Sequence, residues 1–314
     1  MSKKTLVKPQ PPLCTPKPKA VTAMANPLVE TSFRMPPSEL KLLVFVCSLI
    51  HEEDEFYTYG FTVDQAAQAL GRKFDRDHMR FYDDLKEWSK SILTRVVCLP
   101  GFTYYEGDAP KTMYTHFFDS FAYVEGQGRV EVTLKDWLKP YLLGLKSEFT
   151  RIAVRDFALL QSFYGLKLFM LLHQYRKIGR RTFTLPELRF SLGVEKDEYP
   201  EWGEFDRRVI KAAINDLRRA DLLVVEPILH KRGRKVHEVE FKFYKPGAVE
   251  RDATPSPEEQ KKAKLIMDNL SLYQKLFSKE QTGLGLDPES EAEDAETRAY
   301  EALVKELKKQ KKDL

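Results

Sequence analysis

The sequence predicts an α+β fold made of two tandem winged-helix domains. Twice along the chain, an apolar helix is followed by a short helix that ends at a glycine, a longer charged helix and strand-like residues. A chain of 314 residues with 42% hydrophobic residues is long enough to form two such cores. We place the domains at residues 36–150 and 151–246, with an arm at 1–35 and a helical charged tail at 247–314.

The N-terminal arm combines prolines and lysines with little apolar periodicity, so we expect it to be flexible and basic. The sequence shows neither the apolar core of a signal peptide nor a run of about eighteen apolar residues. Its three cysteines are widely spaced and form no C-x-x-C motif, which fits a reducing compartment. We therefore expect a cytoplasmic protein that has no membrane segment.

The first domain should begin with an apolar helix that Ser38 caps. A short strand, a short helix broken by Gly71 and a longer helix at about 75–93 should follow. The strand segments after that helix should form one enlarged wing sheet, and a helix near 135–145 should close the domain. The charges on the longer helix cancel, which favours weak contact with DNA phosphates over base reading. The candidate residues for that contact are Arg72, Lys73, Arg76 and Arg80.

The second domain should begin with one helix from about 156 to Gly179, in which apolar residues recur every three or four positions. In the short helix that follows, Thr184 can cap free backbone N–H groups, and Pro186 suits the first turn. Gly193 should end this helix. We interpret it as the first helix of a helix-turn-helix.

The third helix of this domain, at about 204–219, carries its basic residues on one face when successive residues are set 100° apart. Apolar residues fill the opposite face. Glu204 lies near the helix start, and Asp206 and Asp216 fall off the basic arc, so we expect this arc to be almost unneutralised. Such an arc favours an anionic partner over a plain solvated face. The predicted DNA-binding residues are Arg207, Arg208, Lys211, Asn215, Arg218 and Arg219.

The segment after this helix predicts a hairpin with Gly233 at its tip and basic residues around the turn. A helix, a turn, a basic helix and a basic hairpin together describe a winged helix that binds DNA. The second domain also has a net positive charge, whereas the first has a net negative charge, so the second should be the principal DNA-binding domain. The predicted wing residues are Lys231, Arg232, Arg234 and Lys235.

Three blocks of the second domain carry a family resemblance: SFYGLKLFMLLHQYRKIGRRTFTLPELRFSLGV, YPEWGEFDRRVIKAAINDL and HKRGRKVHEVEFKF. In this order they resemble the C-terminal winged helix of the replication initiator (Rep) proteins of iteron-containing plasmids. The resemblance implies that the chain binds repeated origin sequences in double-stranded DNA. It also implies a repressing dimer, formed through the first domain, and a monomer that initiates replication with the host initiator and the replicative helicase.

No catalytic chemistry is visible in the sequence. The six histidines include no His-x-His pair, and no G-x-x-x-x-G-K-[ST] loop is present. We therefore expect a protein that is not an enzyme and that has no catalytic residues, no metal site and no cofactor. His230 and His237, which flank the wing, are expected to lie beside phosphates or solvent.

Two functions remain open from the sequence. The chain is either a replication initiator or a winged-helix transcriptional repressor without initiation activity, because initiators of this family also repress their own gene. Direct repeats beside an A·T-rich tract would favour the initiator, and a lone palindrome upstream of the gene would favour the repressor. A third hypothesis is an adaptor whose basic arc binds an acidic protein.

Overall fold

The computed structural model describes residues 21–50, 58–72, 78–102, 111–124, 126–143 and 149–247. The predicted tail, apart from its first residue, and residues 1–20 of the predicted arm lie outside these ranges. Within them, two winged helices follow each other along the chain and share one continuous hydrophobic core. No helix in the described ranges has the length and apolar character needed to cross a membrane.

The main elements of each winged helix follow each other in the order that the sequence predicts. The helices are α1 (Asn26–Glu30), α2 (Pro37–Ser48), α3 (Val63–Ala69), α4 (His78–Ile92), α5 (Lys139–Leu142), α6 (Val154–Leu159), α7 (Phe163–His173), α8 (Leu185–Ser191), α9 (Trp202–Phe205) and α10 (Lys211–Arg219). The strands are β1 (Val21–Ala25), β2 (Thr58–Thr62), β3 (Val97–Phe102), β4 (Lys111–Thr115), β5 (Phe118–Val124), β6 (Arg129–Leu134), β7 (Phe149–Ala153), β8 (Arg180–Thr184), β9 (Val224–Arg232) and β10 (Lys235–Tyr244).

Residues 21–35 are not part of a flexible arm, and this part of the prediction is wrong. β1 pairs antiparallel with β7 along its whole length, and α1 follows it directly. Met24, Val29 and Phe33 are buried in the shared core. The proline and lysine content of residues 1–35 therefore does not predict the structure of residues 21–35, because their apolar residues pack into the core.

The first winged helix contains α2, β2, α3, α4 and a sheet in which β6 lies between β2 and β5. The predicted cap at Ser38 is wrong, since α2 starts at Pro37 after an extended Pro36 and has no side-chain cap. The single enlarged wing sheet is also wrong. β6 is paired on both of its edges, and in the described residues β3 and β4 pair only with each other.

Two predicted helices are shorter in the structure. The helix expected near 135–145 is a 3-10 turn at Asp136–Leu138 followed by α5, which ends because Leu143 has extended backbone angles. The single helix expected from 156 to Gly179 is divided into α6 and α7. Ser162 lies at the division, where its hydroxyl accepts a hydrogen bond from the backbone N–H of Gly165 at 3.0 Å.

The second winged helix contains α7, β8, α8, the helix at 202–219 and a sheet in which β10 lies between β8 and β9. Each domain positions its short helix by the same local device. The hydroxyl of Thr62 accepts from the N–H of Gln65, and the hydroxyl of Thr184 accepts from the N–H of Glu187. In turn, the side-chain oxygen of each partner accepts a hydrogen bond from the threonine N–H, which completes a capping box. Gly71 and Gly193 follow with positive φ angles, as the sequence predicts.

The residues around α1 pack against the second winged helix. Glu30 and Arg181 form an ion pair at 2.8 Å, and both side chains are almost completely buried. The Lys167 ammonium donates to the carbonyl oxygens of Val29 and Thr31 at 2.8 and 3.0 Å. The start of the described chain is therefore held by α7 and β8, which lie far along the sequence.

Candidate DNA-binding surface

The helix at 202–219 changes its winding where its first basic residues lie. It begins as α9, continues as a π-helical turn at Asp206–Ile210 and ends as α10. Its hydrogen bonds in the turn span five residues, so each residue advances by less than the 100° of an α-helix. Phe205, Val209 and Leu217 are fully buried, and they fix the apolar face in the core. We call residues 202–219 the cationic helix.

The basic residues of the cationic helix share its outer side. Those that the sequence placed on the arc are exposed, except for the partly buried Asn215. Within the described part of the chain, Arg207 and Arg219 form no ion pair, and Arg218 donates to Asn215 Oδ1 at 2.8 Å. This arrangement leaves the guanidinium groups of Arg207 and Arg219 free to bind an anion.

The prediction that the arc is almost unneutralised is wrong for two of its residues. Arg208 pairs with Glu204 at 2.9 Å, four residues earlier, and Lys211 pairs with Asp206 at 2.7 Å, five residues earlier. Two residues that are five apart lie on different sides of an α-helix but on the same side of a π-helical turn. A helical pattern with a uniform 100° between residues therefore places Asp206 off the basic arc, although it lies beside Lys211.

The inner side of the cationic helix is anchored to the start of α7. The Asp216 carboxylate is buried and accepts hydrogen bonds from the backbone N–H groups of Gln161 and Ser162, at distances of 2.7 to 3.1 Å. The Ser162 hydroxyl also donates to it at 2.7 Å. Asp216 therefore positions the cationic helix against the start of α7. The sequence showed it only as an acid off the basic arc, and that pattern does not identify its partners.

The loop before the cationic helix is held by arginines that the sequence did not single out. Arg189 donates to the carbonyl oxygen of Tyr199 at 3.0 Å and lies over the ring of Phe205. Arg34, from the segment after α1, pairs with Glu198 at 2.5 Å. The entry of the cationic helix is thus fixed by α8 and by the N-terminal segment.

The wing is a two-residue hairpin, as predicted. Arg232 faces Lys235 in the register of β9 and β10, and Gly233 takes a φ of +63° in the turn between them. All four predicted wing residues, Lys231, Arg232, Arg234 and Lys235, are exposed. Further from the tip, His230 lies 3.2 Å from a Glu240 carboxylate oxygen, and its side chain is also exposed to solvent, as predicted.

The first winged helix contributes two of its four candidate basic residues to the described part of the chain. Arg72, at the end of the turn after α3, and Arg80, on α4, are exposed. Lys73 and Arg76 lie outside the described residues. Lys90 on α4 pairs with Glu87 at 2.8 Å, and the acids of this helix remain on its surface. The described part of α4 therefore keeps the charge balance that the sequence predicts.

Comparisons with known proteins agree with this architecture. The family model described as "Initiator Replication protein, WH1" matches residues 21–173, and the model described as "Initiator Rep protein, WH2" matches residues 184–243. Together these matches cover more than half of the chain. The chain belongs to the initiator Rep protein family. The resemblance stated from the second domain is thereby confirmed, and so are the two winged-helix domains of this Rep protein.

A solved structure, that of the Pi initiator protein, has the same fold. The Pi initiator protein in complex with iteron DNA matches with a TM-score of 0.60 and 20% sequence identity, over 74% of this chain and 100% of that chain. The WH1 domain of the replication protein MSBI1.176 matches with a TM-score of 0.24 and 15% identity, over 36% and 75% of the two chains. Domains 2 and 3 of RctB match with a TM-score of 0.33 and 16% identity, over 59% and 74%.

Proposed function

We propose that this Rep protein initiates plasmid DNA replication by binding repeated origin sequences, the iterons, in double-stranded DNA. The observation that carries the proposal is the exposed basic side of the cationic helix beside an exposed basic wing. Both lie on a chain of the initiator family. The Pi initiator protein, which shares the fold over most of this chain, was solved in complex with iteron DNA, and this supports the same ligand here.

The two basic elements of the second domain have different tasks in this proposal. An α-helix fits the major groove of DNA, where an arginine can donate two hydrogen bonds to guanine. Arg207 lies in the first half of the cationic helix and Lys211 lies at its middle, and both are assigned to bases. Arg208, Arg218 and Arg219 are assigned to the phosphates that border the groove, and Asn215 can join either set. The wing tip contacts the DNA backbone.

The first domain adds phosphate contacts through Arg72 and Arg80, and it forms the interface of a repressing dimer. No chemical reaction is part of the proposal. The protein acts by binding, by distorting the adjacent A·T-rich duplex and by recruiting the host initiator and the replicative helicase. The dimer, the host partners and the absence of catalysis are supported by the family resemblance and by the lack of catalytic motifs in the sequence.

Footprinting of the purified full-length chain on its native origin tests the proposal. We expect protection of direct repeats that lie beside an A·T-rich tract. The matched variant Arg207→Ala should lose the footprint at a protein concentration that protects every repeat with the wild type. Protection of one palindrome upstream of the gene, without protection at the origin, would support the transcriptional repressor instead.

A further inference from the structure

A cavity of about 650 Å³ lies between the first winged helix and α6, which precedes the second winged helix in the chain. The start of α2 and the end of α3 form one side of it, and α6 with the residues after it forms the other. Its polar and aromatic lining includes Gln68, Trp88 and Gln161. Three basic residues, Lys41, Arg72 and Arg155, also line it, and none of the lining residues within the described ranges carries a carboxylate. The volume is in the range of sites that bind small molecules.

The three cations of this cavity are only partly satisfied by the protein. The Lys41 ammonium donates to the carbonyl oxygen of Ala158 at 2.8 Å, and an ammonium has three N–H donors. Burial and the nearby Arg72 lower the pKa of Lys41, and the Asp216 carboxylate offsets part of this effect. Arg155 contacts Asp156 through its Nε at 3.2 Å, but its side chain is 78% exposed. The outer edge of its guanidinium can therefore bind a further acceptor.

The cavity also lies beside α4, the helix that carries Arg80 of the proposed phosphate contacts. Trp88, which lines it, belongs to α4. Gln161, on the opposite side, donates its backbone N–H to Asp216 of α10. Arg72 lines the cavity and is also a proposed phosphate contact of the first domain, so the backbone of a bound duplex is one source of phosphate for the cavity. A small phosphate-bearing molecule could instead enter the cavity and place a ring beside the indole of Trp88.

We propose that this cavity is a phosphate-binding site, separate from the cationic helix and from the wing. Guanidinium groups bind phosphate oxygens with two parallel hydrogen bonds, and the lysine adds a point charge. Lys41 and Arg155 are the residues that this site adds to the predicted contacts. The phosphate comes either from the backbone of bound duplex DNA or from a free nucleotide. Only the first source rests on the proposed function.

The DNA source is tested with a duplex of random sequence, so that iteron recognition is not required. The variant Arg72→Gln/Arg155→Gln removes two exposed cations and keeps a polar side chain at each position. If both contact phosphates, the slope of log K against log salt concentration should fall by about two. The control Arg176→Gln/Lys177→Gln removes two exposed cations outside the cavity and should leave the slope unchanged. An equal loss in the control would show a general charge effect and would overturn this source.

The free-nucleotide source is tested on the full-length chain without DNA. Pyrophosphate and ATP are titrated while tryptophan fluorescence is recorded, because Trp88 lines the cavity. Saturable binding that the double variant weakens at least about tenfold, with the signal lost in Trp88→Phe, would support this source. If the double variant unfolds at a lower temperature than the wild type, Arg155→Gln alone replaces it in both tests. A wild-type salt slope together with no saturable binding of either probe would overturn the site.

Discussion

Arg207 is the side chain of the cationic helix that is best placed to read a base. It is exposed, it forms no ion pair with any described residue, and it lies one turn from the helix start. We predict that Arg207→Ala costs about 1–3 kcal/mol on the native repeat and relaxes preference at one base pair. Lysine at this position should rescue binding only in part, because an ammonium cannot form the planar fork.

Binding to a panel of single-base variants of the repeat checks this prediction, with Arg219→Ala as the matched control. Arg219 is also exposed and unpaired among the described residues, but it is assigned to phosphates. Its loss should therefore weaken all variants by a similar factor. The same uniform weakening by Arg207→Ala would show that Arg207 also contacts only phosphate.

Asp206 gives a second prediction at the residue scale, because its carboxylate holds Lys211 at 2.7 Å. Asp206→Asn should free the ammonium and remove a negative charge that faces the DNA. We expect binding to random DNA to tighten by up to about 1 kcal/mol, which is about fivefold. Glu226→Gln, on the surface of β9, is the control for a change of net charge. Unchanged binding by Asp206→Asn at low salt would mean that Lys211 does not approach DNA.

The positions of the basic residues could be predicted from the sequence, but the pairing of Lys211 could not. Exposure follows from apolar periodicity, and all the predicted arginines of the cationic helix are exposed. The pair of Lys211 with Asp206 depends on the π-helical turn. A helical pattern with a fixed 100° per residue cannot predict a local change in the number of residues per turn. Asp216 was missed as an anchor for a similar reason, since its partners lie more than fifty residues away.

At the scale of elements, the wing should supply affinity rather than sequence preference. Its basic tip is exposed, and a hairpin tip meets backbone phosphates more readily than base edges. Replacing Lys231, Arg232 and Arg234 with glutamine should weaken binding to repeat and random DNA almost equally. The log–log salt slope should fall by about one for each phosphate contact that is lost.

Salt titrations on both duplexes measure this effect. The variant Arg176→Gln/Lys177→Gln again controls for lost surface charge. A triple wing variant with a wild-type salt slope would mean that the wing does not touch DNA. A selective loss on the repeat duplex would instead assign base reading to the wing.

Short helices with local signals were predictable at this scale. The sequence indicated Thr184 as a cap, Pro186 in the first turn and Gly193 as the end of α8, and the structure has all three. Each signal acts within a few residues, so the chain carries it locally. The division between α6 and α7 was missed because Leu160 continues the apolar spacing. The break is held by hydrogen bonds to Asp216, which no local pattern contains.

For the whole molecule, the buried Lys167 predicts a dependence of stability on pH. Burial lowers its pKa from the ordinary 10.5 to about 7. Between these two values the unfolded chain binds more protons than the folded chain. The free energy of unfolding should therefore rise as the pH increases from about 7 to about 10, and this contribution should be absent below pH 7.

Denaturant unfolding at several pH values checks this, with Lys167→Met as the variant that cannot titrate. The free energy of unfolding of the wild type minus that of the variant should rise between about pH 7 and about pH 10. Lys177→Met, at an exposed lysine, should leave the rise in place. A difference curve that is flat from pH 7 to 10 would show that Lys167 keeps an ordinary pKa in the folded protein.

The packing of the two domains was beyond the sequence analysis. Charge and periodicity located the second winged helix, but residues 21–35 were assigned to an arm because their contacts are distant in sequence. The ion pair between Glu30 and Arg181 joins residues 151 positions apart. Neither partner has a local pattern that identifies the other, and each looks like a surface residue until the fold brings them together.

The ion pair between Glu30 and Arg181 also affects how the chain can fold during synthesis. β1 has no partner until Phe149–Ala153 has left the ribosome, and Glu30 has none until Arg181 follows. The first domain therefore cannot complete its native packing while the second is still unmade, although domains generally fold one after another as they emerge. The packing of Met24, Val29 and Phe33 therefore stays incomplete at least until Ala153, about half of the 314 residues, has been made. Contacts of this sequence separation favour slow folding.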